Sequence, residues 1–289
     1  MKRILFLFTV LFVFTVYGYA QKEGKDIVYV ENFSYTNRIG SSYVEALRNK
    51  VIEGLVKTDR IIVKDVNSEA GVADQLKKQT EDASGVDENT LVIMKNLHAN
   101  YLIQGHVTTL EGIRVVDKEG KVSYKGSVVF SLKIVDIATG TVKGTENYSY
   151  EGSGSGLFAT GTGDTPDKAI SNTMNPIERD LKKMVNEYFP LEGTILEISA
   201  EKKGKATEVY IDLGEKHGIQ KKQKLAVFVE REIAGRKSQK RIGEIEVEAV
   251  EGDDISLCKV KKGGEEIKTA VGEEQPIVLR TINSTGLFD

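Results

Sequence analysis

Hydrophobic and polar residues alternate along much of this chain, and elsewhere apolar residues recur every three or four positions. The stretch from Asn96 to Val142 organises the rest. Tyr101, Leu102 and Ile103, closed by Gly105, form an apolar run that suits a strand covered on both faces. Val128, Phe130, Leu132 and Ile134 alternate with Val129, Ser131, Lys133 and Val135, which predicts a strand from about Ser127 to Val135 with one face wet. Asp136 to Gly140 reads as a turn. Asp117 to Gly120, flanked by extended residues, reads as the tip of a projecting hairpin.

Upstream, Asp26 to Phe33 has the β-branched and aromatic content of a first strand. Ser41 or Ser42 is placed to cap a helix in which Val44, Leu47, Val51, Ile52 and Leu55 make one buried stripe. Arg60 to Asp65 is extended again, a strand–helix–strand start whose crossover is right-handed if the strands are parallel. Ser68 to Val86 is polar and reads as a short helix and a loop, with Asp87 or Asn89 capping another helix through Leu97.

Downstream, a strand from Thr141 to Tyr150 is followed by the Gly/Ser/Thr-rich run Gly152 to Asp164. A long helix then runs from Pro166 to about Tyr188. Ala169, Ile170, Met174, Ile177, Leu181, Met184 and Val185 give it one apolar stripe, and Pro176 should kink or interrupt it. Phe189, Pro190 and Leu191 mark a boundary. Beyond them six short alternating runs, separated by Gly, Lys and Asp clusters, predict a small antiparallel sandwich or barrel of about six strands. The expected fold is therefore α/β (α+β), with a sheet covered by helices on one face over residues 21–189 and a small all-β domain over 190–289.

Composition allows two domains of ordinary size: 289 residues, 40% hydrophobic and 29% charged, are enough for real cores. A net charge of -3 gives no bulk positive field toward nucleic acid, so any anion binding must be local. Lys2 and Arg3 precede the apolar run Ile4 to Val16, and Gly18, Tyr19 and Ala20 put small residues where a signal peptidase reads. The expectation is a secretory signal peptide over residues 1–20, cut between Ala20 and Gln21. The alternative, a membrane anchor, needs about 20 apolar residues, more than this run supplies. No cysteine lies near the cut, so no lipidated amino terminus is expected. The mature protein should be exported, periplasmic or associated with the outer membrane.

Three motifs carry a family resemblance. The segments DIVYVENFSYTNR, NLHANYLIQGHVT and SLKIVDIATGTV resemble the first strand, the start of a central strand and the "valine, aspartate, x, x, threonine, glycine" turn of the curli-secretion channel family, the CsgG-like fold. The likeness spans about Asp26 to Phe189. The fold also occurs in lipoprotein activators of cell-wall synthases and in the amino-terminal domain of the Tol translocation protein. VYIDLGEKHGIQKKQKLAVF resembles, over a shorter span, the carboxy-terminal β domain of flagellar assembly protein T.

The curli channel inserts two β-hairpins per subunit to line a pore. Here Thr108 to Gly126 carries Glu111, Arg114, Asp117, Lys118, Glu119, Lys121 and Lys125, and Gly152 to Asp164 is short and Gly-rich. The resemblance therefore implies a relative acting in curli-like assembly or transport without its own pore, with a channel subunit as the alternative.

Candidate chemistry is sparse. Gly154, Gly156 and Ala159 fit a dinucleotide fingerprint literally, but the next helix starts only after Pro166 and no acidic residue follows a second strand as the ribose requires. The run reads as a surface loop whose Leu157 and Phe158 either dock a partner or tuck into the core. His98, His106 and His217 lack the spacing of a metal site, and Cys258 reads as a buried strand residue.

Arg231, Arg236, Lys237, Lys240 and Arg241 surround Gly235, and Lys221, Lys222 and Lys224 follow Gly218. They are either solvated turns that protect strand edges or a local anion site for lipopolysaccharide phosphates or a cell-wall polymer. The candidate partner-binding residues are thus Leu157, Phe158, Arg236, Lys237, Lys240 and Arg241. No catalytic, cofactor-binding or metal residue is nominated. The expectation is an exported, non-enzymatic envelope protein whose partners are envelope proteins or further copies of itself, with peripheral contact to the outer membrane and no nucleic acid. A cell-wall-active enzyme or regulator is the competing class.

Overall fold

The structure, a computed structural model, describes residues 25–36, 39–69, 71–72, 88–153 and 159–283. These form a mixed α+β protein with two sheets. In the first, β1 (Asp26–Val30) lies between β3 (Ile61–Asp65) and β4 (Tyr101–Val116), parallel to both. β5 (Val122–Asp136) and β6 (Val142–Glu151) continue it antiparallel, giving the order β3-β1-β4-β5-β6. Two-residue strands β2 (Ser34–Tyr35) and β7 (Thr162–Gly163) attach to β4 and β5.

Helix α1 (Ser41–Val56) buries Val44, Leu47, Val51 and Leu55, as its stripe requires. Its N-cap is Gly40 rather than either serine: the Gly40 carbonyl accepts the Tyr43 N–H at 3.1 Å, and no side chain caps the turn. α2 (Glu88–Asn96) encloses Asn89 in its first turn instead of being capped by it. Asp87 and nearly all of the segment expected as a short helix and loop, residues 70 and 73–87, lie outside the described residues; Val66–Ser68 is a single 3-10 turn.

The expected long helix is two. α3 (Pro166–Thr173) is capped by Thr165, whose hydroxyl accepts the Lys168 N–H at 3.3 Å. α4 (Ile177–Tyr188) restarts with Pro176 as its N-cap, because proline has no N–H for a continuous helix to use. α1 and α4 together cover Val28, Val30, Ile103, Phe130, Leu132 and Ile134 on one sheet face.

The opposite face is not left bare, which corrects the expectation of helices on one face only. Met94 of α2, Val66 and Val72 close over Tyr29, Leu102 and Val135. The run Tyr101 to Ile103 is apolar because both its neighbours bury it. Farther along, Ser131 and Lys133 remain on the wet side. α3 reaches the β4–β5 hairpin over Gly112 and Gly126; a Cβ on Gly126 would overlap the Thr173 hydroxyl and the Ala169 carbonyl.

The second sheet contains β8 (Glu192–Gly193), β9 (Ile195–Lys202), β10 (Lys205–Ile211), β11 (Lys224–Ile233), β12 (Arg236–Val250), β13 (Ser256–Lys262) and β14 (Ile277–Ile282). Its order is β8-β14-β11-β12-β13-β10-β9, antiparallel throughout. β8 and β9 are consecutive halves of one extended segment broken at Thr194, so the order returns to its own start. The result is a barrel around Val209, Ile211, Leu225, Val227, Ile245, Val247, Cys258 and Leu279.

This half is not all-β. α5 (Gly264–Gly272) plugs the barrel core with Ile267 and Ala270. Two inward positions in nine residues make no readable period in the sequence.

Arg60, just before β3, joins the halves. Its guanidinium donates to Asn186 Oδ1 at 3.2 Å, the Phe189 carbonyl at 2.7 Å and Thr281 Oγ1 at 3.3 Å. Gln223 Nε2 also donates to Asn186 Oδ1, at 3.0 Å. Burial lowers the Arg60 pKa to about 10.

Candidate functional site

Two surface features combine unusual geometry with unsatisfied chemistry. The first is the hairpin of β11 and β12. Glu230 N–H donates to the Pro276 carbonyl at 2.9 Å, the last bond β11 makes to a third segment, and β12 meets β13 only from Glu244. Residues 231–240 therefore form an arm in which the two strands pair with each other alone, while Ile242 and Gly243 still lie against the barrel core. Its loop is two residues long, Ala234 and Gly235, with φ of 51° and 75°. Two left-handed residues in succession are what a tight hairpin matched to strand twist requires, and glycine takes that conformation without strain.

Directly opposed residues of an antiparallel pair share a face. The register opposes Val229 to Lys240, Arg231 to Ser238 and Ile233 to Arg236; these alternate with Phe228 opposite Arg241, Glu230 opposite Gln239 and Glu232 opposite Lys237. The five basic residues around Gly235 are thus not one cluster. Arg231, Arg236 and Lys240 lie on the face that continues the inward row Leu225, Val227 and Val229 beyond the barrel. That face carries no acid, and these three cations make no ion pair among the described residues.

Lys237 lies on the other face, opposite Glu232. Arg241, also there, donates to Glu244 at 3.1 Å, and Glu244 has Lys262 at 3.5 Å and Lys224 at 3.7 Å as well. Lys224 is therefore neutralised with Arg241, while Lys221 and Lys222 are simply exposed. Ile233, at the tip of the acid-free face, is 61% exposed, more than any other large apolar side chain among the described residues. Sequence alternation could not assign these faces, since the loop length sets the register. Leu157 and Phe158, the other candidates, lie outside the described residues.

The second feature is a cleft of about 360 Å³ between β6 and α4, lined by Tyr148, Tyr150, Asp180, Lys183 and Met184. β6 is an edge: among the described residues it pairs only with β5. Tyr148 stacks on Phe130 with centroids 4.9 Å apart, and Tyr150 stacks on Tyr148 at 6.3 Å. Tyr150 OH donates to Asp180 Oδ2 at 3.1 Å and Lys183 Nζ to Oδ1 at 3.0 Å.

Burial pushes the Asp180 carboxyl up, but bonds from Arg179, Lys183 and Tyr150 outweigh it and hold the group below its ordinary value. Asp180 is thus ionised and engaged near neutrality, an anchor rather than a proton donor. The Tyr148 hydroxyl is buried and has no hydrogen-bond partner among the described residues, and burial raises its pKa first of all. The one sequence signal of this cleft is Tyr148 and Tyr150 two apart in a strand, hence on one face.

The remaining nominated chemistry is structural. Cys258 is fully buried in β13, which pushes its thiol up to about 12. His217 Nδ1 accepts the Gly214 N–H at 3.0 Å, and burial, then Lys216, lowers its pKa. His98 and His106 are exposed. No group of three His, Cys, Asp or Glu suited to a metal occurs among the described residues.

No protein-family model and no curated protein matches the chain. Among solved structures it is similar to the PelC dodecamer from Paraburkholderia phytofirmans, at 13% identity over 54% of this chain and 86% of that one, TM-score 0.32. It is also similar to the LpoB C-terminal domain from Escherichia coli, at 13% identity over 44% and 82%, TM-score 0.29. Lipoprotein GNA1162 from Neisseria meningitidis is 12% identical over 44% and 82%, TM-score 0.30. Likeness at this level defines neither family nor function.

Proposed function

We propose that this is an exported envelope protein that works by binding, as a scaffold for assembly or secretion at the outer membrane, rather than by catalysis and without its own pore. The observation that carries the reading is the open β6 edge. A strand with one partner presents a row of backbone donors and acceptors to another chain, and here it is bordered by a cleft holding a buried, unpartnered tyrosine hydroxyl.

Export is supported by the charged, apolar and small residues of Lys2 to Ala20. The motifs that resemble the curli-secretion family fall on β1, the start of β4 and the turn after β5. In that turn Asp136 Oδ1 accepts the Thr139 N–H at 3.0 Å, so the motif has a structural reason to exist. The absence of a pore is supported by the β4–β5 hairpin, which carries charge on both faces: Arg114 on the face of Gly112 and Gly126, Glu111 and Lys125 on the other.

Expression of the full chain in a bacterial host tests both parts. The expected envelope species begins at Gln21 by mass. Ser149→Cys, on exposed β6, should cross-link to a neighbouring chain in whole cells, whereas the wild type, with Cys258 buried, should not. An unprocessed cytoplasmic product removes the export reading, and a Ser149→Cys protein that stays uncross-linked removes the edge as a contact.

A further inference from the structure

We propose that the β11–β12 arm docks on the phosphate headgroups of an anionic lipid bilayer through one face, with Arg231, Arg236 and Lys240 on the phosphates and Ile233 set into the interface. The arm extends past every strand that could cover it, and the chosen face is the continuation of the barrel's inward row, released from the barrel. Along that face three cations have no counter-charge among the described residues, while the acids of the arm, Glu230 and Glu232, occupy the reverse side. The tip residue between those cations is apolar and 61% exposed.

The complement of this pattern is a planar anionic surface with an apolar layer beneath it. Headgroup phosphates, one negative charge each, meet three cations without demanding a set spacing, and an isoleucine finds a place below the headgroups that a soluble anion lacks. An acidic protein would match the charge but would have to supply a separate pocket for Ile233. A bare polyanion would leave Ile233 in water. The two-residue loop keeps the tip narrow, so Ile233 leads.

The inference extends the envelope reading by naming a surface. The two fail separately: precursor processing tests export, and vesicles report on the arm alone. The probe is vesicles of phosphatidylcholine with or without an equal part of phosphatidylglycerol, mixed with residues 21–289 and read by flotation. Binding should require phosphatidylglycerol and weaken with added salt.

Each cation near such a surface contributes about fivefold in affinity, so the Arg231→Gln, Arg236→Gln, Lys240→Gln triple variant should lose roughly a hundredfold. Ile233→Ser should lose about tenfold. Lys237→Gln, on the reverse face, is the control and should change binding about twofold at most. All these side chains are exposed, so an unchanged urea midpoint should verify that the variants are folded.

Equal binding to phosphatidylcholine alone overturns the proposal, as does a triple variant that floats like the wild type. So does an Ile233→Ser protein of undiminished affinity, or binding to soluble polyphosphate that is as tight as to vesicles, which would make the arm a polyanion site.

Discussion

Arg48 shows what a single side chain does in this fold and why no pattern revealed it. It sits on α1 and is 3% exposed, yet nothing in the spacing of that helix separates it from a solvated arginine. Folding brings β1 and β3 beneath it: Nε donates to the Glu31 carbonyl at 2.9 Å, Nη2 to the Val30 carbonyl at 3.0 Å, and the guanidinium pairs with Asp65. Burial raises the Asp65 carboxyl, but Arg48 and the Asn67 N–H outweigh it, leaving it lowered overall. Partners 17 residues away in sequence cannot be read from composition. Cys258 is the opposite case, legible from its apolar run and found buried. With its thiol pushed up to about 12, it should resist a disulfide-exchange reagent at pH 8 and react only as the barrel unfolds. Stoichiometric labelling of native protein within minutes would contradict its placement.

At the scale of elements, strands and helices followed their periodicities closely because burial on one face imposes them. The errors fall where burial is unusual. α5 is too short to show a stripe, and α2 covers a sheet face that alternation reads as wet. Faces of the arms were illegible for a different reason: register depends on the loop, and one residue more would exchange the two sides. Close contact between elements was hidden too. Gly126 is a strand residue whose role is to let α3 lie against the hairpin, since the Ala169 carbonyl occupies the place of a Cβ. Gly126→Ala should therefore cost about 1–3 kcal/mol, measured as a lowered urea midpoint with unchanged slope. An unaffected midpoint would mean that α3 stands farther off.

For the whole molecule, the informative contact is the buried polar junction at Arg60. Its partners come from α4, the Phe189 carbonyl and β14, so it bridges two separate hydrophobic cores. Removing the guanidinium takes its donor from the Phe189 carbonyl and leaves Asn186 Oδ1 with Gln223 alone. Arg60→Ala should cost about 3 kcal/mol, and urea unfolding followed by two probes, one per half, should separate into two transitions. Coincident transitions in the variant would mean that the remaining contacts, among them Gln223 to Asn186 and Gln220 to the Thr58 carbonyl, couple the halves without the guanidinium.

The barrel closes through the segment broken at Thr194, and this has a kinetic consequence. Glu192 and Arg280, whose side chains pair at 2.6 Å, stand 88 residues apart along the chain. Ring closure of that span is entropically slow, so the local pairs β9–β10 and β11–β12 form ahead of the pairing with β14 that closes the barrel. Until β14 arrives, β11 waits with one flank bare, and a chaperone that shields this transient surface would raise the yield of refolded protein.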